Sequence, residues 1–261
     1  MSLYDTYTNY LKNQEKKDES VRYKNFKNDR QYTIVLEHVS MTQGYEYLQL
    51  ILSEYKYISK NDILKFVQMN DYFGNTTKYE YEFNDGSTFS CSPTSLRYIY
   101  QTLLILDHYK TTKCRNMVEV GCGYGGLFLC INYFSKLLNI DIEKYHMIDL
   151  PEPINLIEFY LHLHDSNIKI AYEFHKAETF GSYVPSGNLF FISNYCYTEI
   201  DTSLKEKYYS KLIKRVDNGF IIWQTICFNI EYMNQIIKPS KLEVEIPQTA
   251  THEQPNYYVY F

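Results

Sequence analysis

The run Val118-Glu119-Val120-Gly121-Cys122-Gly123-Tyr124-Gly125-Gly126 is the part of this chain best suited to holding a ligand. A short strand-like stretch meets a glycine cluster, and an apolar helix pattern follows at once. Glycines at a strand-to-helix turn let the backbone approach a bound group that a Cβ would strike. The amide end of the following helix points at the same place. Gly121, Gly123 and Gly126 also satisfy G-x-G-x-x-G, the dinucleotide fingerprint. Two carboxylates bear on which cofactor the turn takes. Glu119, two residues before the first glycine, would repel a pyrophosphate and suits an ammonium group. Asp149 lies 28 positions beyond Gly121, where a strand end would let it accept protons from both hydroxyls of a ribose. Its competing role is to cap a helix before Pro151.

Ligands of open α/β sheets sit beyond the carboxyl ends of the strands, so groups that handle a proton must come from the loops there. Glu199 can accept a hydroxyl proton or hold a neighbouring hydroxyl, unless it only caps the next helix. His252 falls in a late loop, and its imidazole titrates near neutrality; its bland alternative is a solvated loop residue. Asn194 cannot act as a base, but it can orient an acceptor. Arg97 can meet a phosphate or a carboxylate, or make a structural ion pair, and Tyr98 stands beside it on the same terms. His162 and His164 are one residue apart on a helix pattern and face different ways, so they make no metal pair. The six cysteines, at 91, 114, 122, 130, 196 and 227, form no C-x-x-C and lack histidines at zinc-ligand spacing. Reduced, mostly buried thiols and no metal site are expected.

These residues need elements to position them. Residues 1 to about 30 are polar and read as a frayed leader. From Tyr45, the apolar positions Leu48, Ile51, Leu52 and Tyr55 recur at helical spacing, and Asn61 can cap a second helix. Residues 71–90 look like loop, with Gly74, Asn75, Asp85 and Gly86 at turn positions. Ser92 and Pro93 then open a helix running to about Tyr109. After Arg115 the pattern changes. Strands are expected at Met117–Val120, Tyr145–Ile148, Ile168–Glu173, Leu189–Ile192 and Phe220–Trp223. Helices are expected at Gly126–Leu138, Ile154–Leu163 and Leu204–Val216. Such alternation means βαβ units and a parallel sheet covered on both faces. Leu242–Ile246 and Tyr257–Phe261 have no helix-length segment between them and should pair as an antiparallel hairpin at the sheet edge.

Composition narrows the class further. The 261 residues are 45% hydrophobic and 22% charged, which excludes disordered, collagen-like and coiled-coil chains. No apolar run approaches the ~20 residues that cross a bilayer, and the first thirty residues lack a secretory apolar core. A cytoplasmic protein with no membrane contact is expected. The net charge is −5 with no basic block, so nucleic acid is not an expected partner. The 29 tyrosines and three alanines reflect an AT-rich genome more than a chemistry.

VEVGCGYGG resembles motif I of the class I S-adenosylmethionine-dependent methyltransferases. Three further strings, SPTSLRY (Ser92–Tyr98), YHMIDLPEP (Tyr145–Pro153) and FISNYCYTEI (Phe191–Ile200), resemble the sugar O-methyltransferase family. Together they span residues 92 to 200; the first ninety carry almost no resemblance. The resemblance implies a Rossmann-like doubly wound sheet with a C-terminal antiparallel hairpin at 113–261; the helical spacing ahead of it reads as an all-helical region at 1–112. It implies S-adenosylmethionine as cofactor, S-adenosylhomocysteine as product, and in-line methyl transfer to a hydroxyl of a sugar, nucleotide-linked in the leading case. Glu119, Gly121, Gly123, Gly125, Asp149, Leu150 and Ser193 would then hold the cofactor. Arg97, Tyr98 and Tyr195 would contact the acceptor, with Glu199, His252 and Asn194 at the reacting oxygen. The N-terminal helices would cover the site mouth or form a homodimer interface. Two alternatives stay open, a non-catalytic methyltransferase-like subunit and an NAD-dependent oxidoreductase. Glu119 and the closing hairpin speak against the second.

Overall fold

The computed structural model describes residues 3–227, 229–249 and 253–261. Ahead of the glycine turn come α1 (Leu3–Glu15), α2 (Arg30–Thr33), α3 (Met41–Glu54) and α4 (Lys60–Asn70). Ser40 and Ser59 start α3 and α4 with reciprocal caps. Each hydroxyl accepts from the third helical amide, while Gln43 or Asp62 accepts from the serine's own amide. Two open donors are satisfied at each start, and Ser59 takes the capping role expected of Asn61.

Two expectations for this region fail. Residues 3–30 are no frayed leader, because Tyr7, Tyr10, Leu11, Tyr23 and Phe26 are all buried. Tyrosines supply the apolar area here, and a reading keyed to aliphatic residues passes over them. Residues 71–90 are not all loop, and the N-terminal third is not purely helical. β1 (Tyr79–Glu82) and β2 (Thr88–Cys91) pair antiparallel across a turn where Gly86 takes φ +81° and Ser87 donates to Asp85. The Asp-Gly pair was a hairpin signal between two short aromatic runs.

α5 (Pro93–Tyr109) opens as expected, with the Ser92 hydroxyl accepting from the Ser95 amide and Pro93 in the first turn. Asp71 reinforces that start by accepting from the Ser92 amide at 2.6 Å and the Ser95 hydroxyl at 2.7 Å. Residues on every side of α5 are buried, so it is the central post between the N-terminal helices and the sheet.

The remainder alternates. β3 (Asn116–Val120), α6 (Gly126–Leu137), β4 (Lys144–Asp149), α7 (Pro151–His162), β5 (Ala171–Lys176) and β6 (Leu189–Asn194) lead to the short α8 (Cys196–Glu199). Then come α9 (Thr202–Lys211), β7 (Asn218–Trp223), α10 (Ile230–Ile236), β8 (Lys241–Val244) and β9 (Tyr257–Tyr260). Seven strands form one sheet in the order β5-β4-β3-β6-β7-β9-β8. β3 to β7 run parallel, and β9 is antiparallel to both of its neighbours. The expected doubly wound sheet and closing hairpin are both present. β5 starts three residues later than expected, because 165–167 form a short 3-10 turn that ends at Ile168.

Strand residues alternate between two buried layers. Met117, Tyr145, Phe190, Ile192, Phe220 and Ile222 share a cluster with α5, α6, α7 and the buried tyrosines of α1. Val118, Val120, Ile148, Phe191, Ile221 and Trp223 pack on Tyr197, Tyr208 and Met233 from the other side. The period-2 alternation of a strand covered on both faces accounts for the split. No described helix is long and apolar enough to cross a membrane.

Candidate active site

The order of the sheet reverses between β3 and β6, which places a crevice beyond their carboxyl ends. The glycine turn forms one wall of it. Gly121 and Gly123 take φ of +81° and +60°, in the left-handed region that glycine enters at least cost. The glycines serve different ends. A Cβ on Gly121 would sit 2.2 Å from the Cys196 Cβ, and one on Gly126 would sit 2.5 Å from the Tyr98 ring. Gly125 is similarly pressed, by Ile157 of α7 at 2.9 Å. Only at Gly123 is there room, with Leu36 the nearest group at 3.7 Å. Three of the glycines thus answer to packing, and Gly123 leaves space a ligand can use.

Asp149 ends β4 next to this turn. Its carboxylate accepts from the Cys122 amide at 2.6 Å and the Leu150 amide at 2.8 Å. The helix-capping alternative falls, because Leu150 is the cap residue of α7 and no side chain serves there. Burial raises the Asp149 pKa to about 6, against the opposing effect of the amides of Leu150, Cys122 and Gly123. Leu150 itself is exposed and does not line the cavity.

Glu119 lies elsewhere than expected. It is 2% exposed, it accepts a hydrogen bond from the Tyr145 hydroxyl at 2.9 Å, and it does not line the cavity. Burial pushes its pKa up to about 8. The folded state therefore holds a proton that the unfolded chain releases from about pH 4.5 upward. This residue's contribution to stability is full below that pH and is lost as pH rises toward 8. Glu119→Gln keeps an acceptor for Tyr145 and removes the titration. Its thermal stability relative to the parent should climb between pH 5 and pH 8, by roughly 2–4 kcal/mol at the upper end. A difference that stays flat over that range in thermal melts rules out a protonated Glu119.

The opposite wall follows β6. Ser193, an expected cofactor ligand, is fully buried, donates to the Val120 carbonyl at 2.9 Å and accepts from the Tyr197 amide, so it ties β6 to β3. Asn194 donates to Gln101 at 2.9 Å, and its side-chain oxygen is buried without a partner. Tyr195 has φ +69°, a strained conformation for a side-chain-bearing residue, of the kind that clusters at functional sites. Its hydroxyl donates to Glu245, which is fully buried. Glu245 also accepts from the Thr249 amide (3.1 Å), the Thr249 hydroxyl (2.7 Å) and the Asn256 amide nitrogen (3.0 Å).

Between the walls is a cavity of about 140 Å³. Gly121, Gly123 and Asp149 line it together with Arg97, Asn194, Tyr195 and Glu199, so the fold brings together seven residues singled out in the sequence. Arg97 is 6% exposed; it donates to the Leu36 carbonyl at 3.4 Å, its guanidinium lies 5.7 Å from the centroid of the Tyr98 ring, and its Nε has no partner. Its guanidinium is permanently charged and suited to a planar anion. Glu199 accepts from Gln224 at 2.7 Å and from the Tyr4 hydroxyl. Gly125 and Tyr98 lie outside the lining, and Tyr98 packs edge-on against Tyr124. His252 lies outside the described residues.

Sequence reasoning missed the roof and the far corner. Tyr4, Tyr7, Val35, Leu36 and His38 close the cavity from the N-terminal side, and Cys196, Gln224 and Thr249 complete its lining. Nothing local marks them, because they meet the site only through tertiary packing. A larger groove, about 770 Å³, lies between α5 and the β8–β9 ribbon. It includes neither the glycine turn nor Asp149, so the smaller cavity is the candidate site.

A seven-stranded sheet in this order, with an antiparallel strand inserted next to the last position, a glycine turn after its first strand and an acid closing its second, defines the class I methyltransferase fold. S-adenosylmethionine is the cofactor of that class. No family model and no curated protein matches the chain. Solved structures similar to it include the methyltransferase domain of bacterial CtHen1, at 11% identity and TM-score 0.44 over 62% of this chain and 96% of that one. Magnesium protoporphyrin IX methyltransferase from Synechocystis PCC 6803, with bound cofactor, is 8% identical with TM-score 0.45 over 64% and 80% of the two chains. WbdD is 15% identical with TM-score 0.42, over 63% of this chain and 38% of its own.

Proposed function

We propose that this chain is an S-adenosylmethionine-dependent O-methyltransferase acting on a hydroxyl of a sugar, with a nucleotide-linked sugar as the leading acceptor. The observation that carries the proposal is Asp149 facing the same cavity as the open Gly123 turn, at the point where the sheet order reverses. Asp149 would hold the ribose hydroxyls, and the buried Arg97 would take the methionine carboxylate or an acceptor phosphate. When bound, the cofactor supplies a methyl group already activated for transfer.

The chain's own residues must then align the acceptor and relieve it of a proton. Alignment of this kind contributes about 7–11 kcal/mol, and a positioned base roughly 10²–10⁴-fold. Glu199 is the base this reading favours, because it is the one described carboxylate on the acceptor side of the cavity lining. Asn194 orients the acceptor through its free oxygen, and the Tyr195 ring flanks it. Residues 1–112 act as the cap over 113–261 and set acceptor choice. Pockets for ligands of cofactor size hold about 300–1,000 Å³, so the roof made by Tyr4, Tyr7 and Leu36 must swing away for entry.

The test is calorimetric titration with S-adenosylhomocysteine, followed by transfer of labelled methyl from S-adenosylmethionine to a panel of nucleotide sugars. Micromolar binding with product formation, and a loss of kcat of at least 100-fold in Glu199→Gln, is the expected result. Binding without product on any hydroxyl acceptor would favour a non-catalytic subunit. No binding by a folded sample would remove the cofactor assignment altogether.

A further inference from the structure

β4 and β5 lie side by side and parallel, with His146 opposite Glu173 and Ile148 opposite His175. Alternate residues of a strand share a face, so His146, Glu173 and His175 project from the same side of the sheet. His146 Nδ1 and His175 Nε2 are 3.0 Å apart, and Glu173 Oε2 is 3.8 Å from His146 Nδ1. One ligand atom from each of the three lies within 4.8 Å of the other two. The imidazoles are 2% and 7% exposed, whereas the Glu173 carboxylate is about half exposed. None of the three lines the proposed methyl-transfer cavity.

We propose that His146, Glu173 and His175 bind a divalent transition-metal ion, with zinc as the best match, and that the ion clips the outermost strand β5 to β4. Two imidazoles and a carboxylate are a donor set for zinc more than for magnesium or calcium, which take oxygen ligands. Zinc bonds to nitrogen and oxygen run about 2.0–2.2 Å, which sets tetrahedral donors roughly 3.4 Å apart. The present spacings of 3.0 and 3.8 Å bracket that value, so small side-chain shifts suffice. In the metal-free protein one nitrogen donates its N–H to the other. With the ion bound, both facing nitrogens give lone pairs, and each ring carries its proton on the far nitrogen. The half-exposed Glu173 side leaves the fourth position open to water. A metal tie would also secure β5, whose outer edge has no sheet neighbour.

One group opposes the ion. The Lys144 ammonium holds Glu173 Oε2 at 2.5 Å, so binding requires that contact to be given up or shared. The sign of a second substitution is thereby set: Lys144→Met should tighten zinc binding several-fold.

The metal-free full chain is titrated with Zn²⁺ by calorimetry and with Co²⁺ by visible absorption. The expected result is one ion per chain, cobalt bands without thiolate charge transfer, and a zinc-dependent rise in Tm. Affinity should fall at least tenfold in His146→Gln and in His175→Gln, and Cys227→Ser should bind like the parent. The site is ruled out if the parent binds nothing at roughly 100 µM zinc, or if His175→Gln binds unchanged. It is equally ruled out if Cys227→Ser abolishes binding. Should the histidine variants fail to fold, X-ray absorption of the parent's zinc complex decides. Two imidazoles with oxygen support the site, and any sulfur ligand overturns it. The outcome is independent of whether the chain transfers methyl groups.

Discussion

Asp149→Ala should weaken S-adenosylhomocysteine binding by about 100-fold while leaving the chain folded. The carboxylate stands at the carboxyl end of β4 with its oxygens turned to the glycine turn and the cavity. Hydrogen bonds to a charged group contribute about 1.5–3 kcal/mol each, and 1.4 kcal/mol is a factor of ten. Loss of the two ribose contacts proposed for Asp149 therefore costs roughly two decades of affinity. Asp149→Ala also releases the Cys122 and Leu150 amides, which now help to shape the turn. Asp149→Asn should lose less, since one acceptor oxygen remains. The same carboxylate sets a pH limit. Its pKa is raised to about 6, so the acceptor form fades as pH falls below 6, and binding should weaken there in the parent but not in the alanine variant. Titration calorimetry at pH 7.5 and pH 5.5 reads both effects. Equal affinities for parent and Asp149→Ala would mean that the ribose is held elsewhere or not at all.

The second large effect concerns stability and the acceptor wall together. Glu245→Ala should destabilise the fold by about 3–5 kcal/mol, because it strips the shared acceptor from several donors at roughly 1–3 kcal/mol for each one left unsatisfied. Four donors converge on this fully buried carboxylate: the Tyr195 hydroxyl, the amide and hydroxyl of Thr249, and the side chain of Asn256. The Tyr195 hydroxyl and the Thr249 amide would lose their acceptor outright, while the Thr249 hydroxyl and the Asn256 side chain would keep only their weaker contacts to Tyr195 and Thr249. Chemical denaturation measures the loss, and a change below about 1 kcal/mol would mean that the network is dispensable. Glu245→Gln keeps one acceptor and should lose about half as much stability. It should still lower the rate of any methyl transfer, because Tyr195 and Thr249 both line the cavity and Glu245 positions them. A melting curve and a rate measured on that one variant separate the two roles.

What was legible in the sequence was what is local. The glycine turn, Asp149 and the alternation from β3 onward are each written within about ten residues, as strand, turn and helix patterns that the backbone obeys directly. The closing pair of strands was readable because no helix-length segment lies between them. Glu245 was not readable, since its partners come from positions 195, 249 and 256 and nothing around it in the chain is unusual. The roof was missed for a related reason. Residues 1–30 are polar by count, yet Tyr7 and Tyr10 are buried against the Tyr32 ring of α2, and Phe26 against Tyr32, Tyr124 of the glycine turn and Tyr160 of α7, with 5.4 Å between the Phe26 and Tyr124 centroids. The expectation for Glu119 failed by one layer of depth. A residue two before the first glycine was assigned to the ligand side, and the strand instead turned it inward to Tyr145. The His146, Glu173 and His175 group depends on the register between β4 and β5, which no single-strand pattern specifies.

The place of β9 has a consequence for how the chain is made. The ribosome releases β9 after the other six strands of this sheet, yet β9 lies between β7 and β8. Until it emerges, β8 has no neighbour to join and the edge of β7 stays bare. The five parallel strands can assemble during synthesis, but β8 has to wait. For that interval the half-built sheet offers the open strand edge of β7 to any passing chain, and the arrival of Tyr257–Tyr260 closes it.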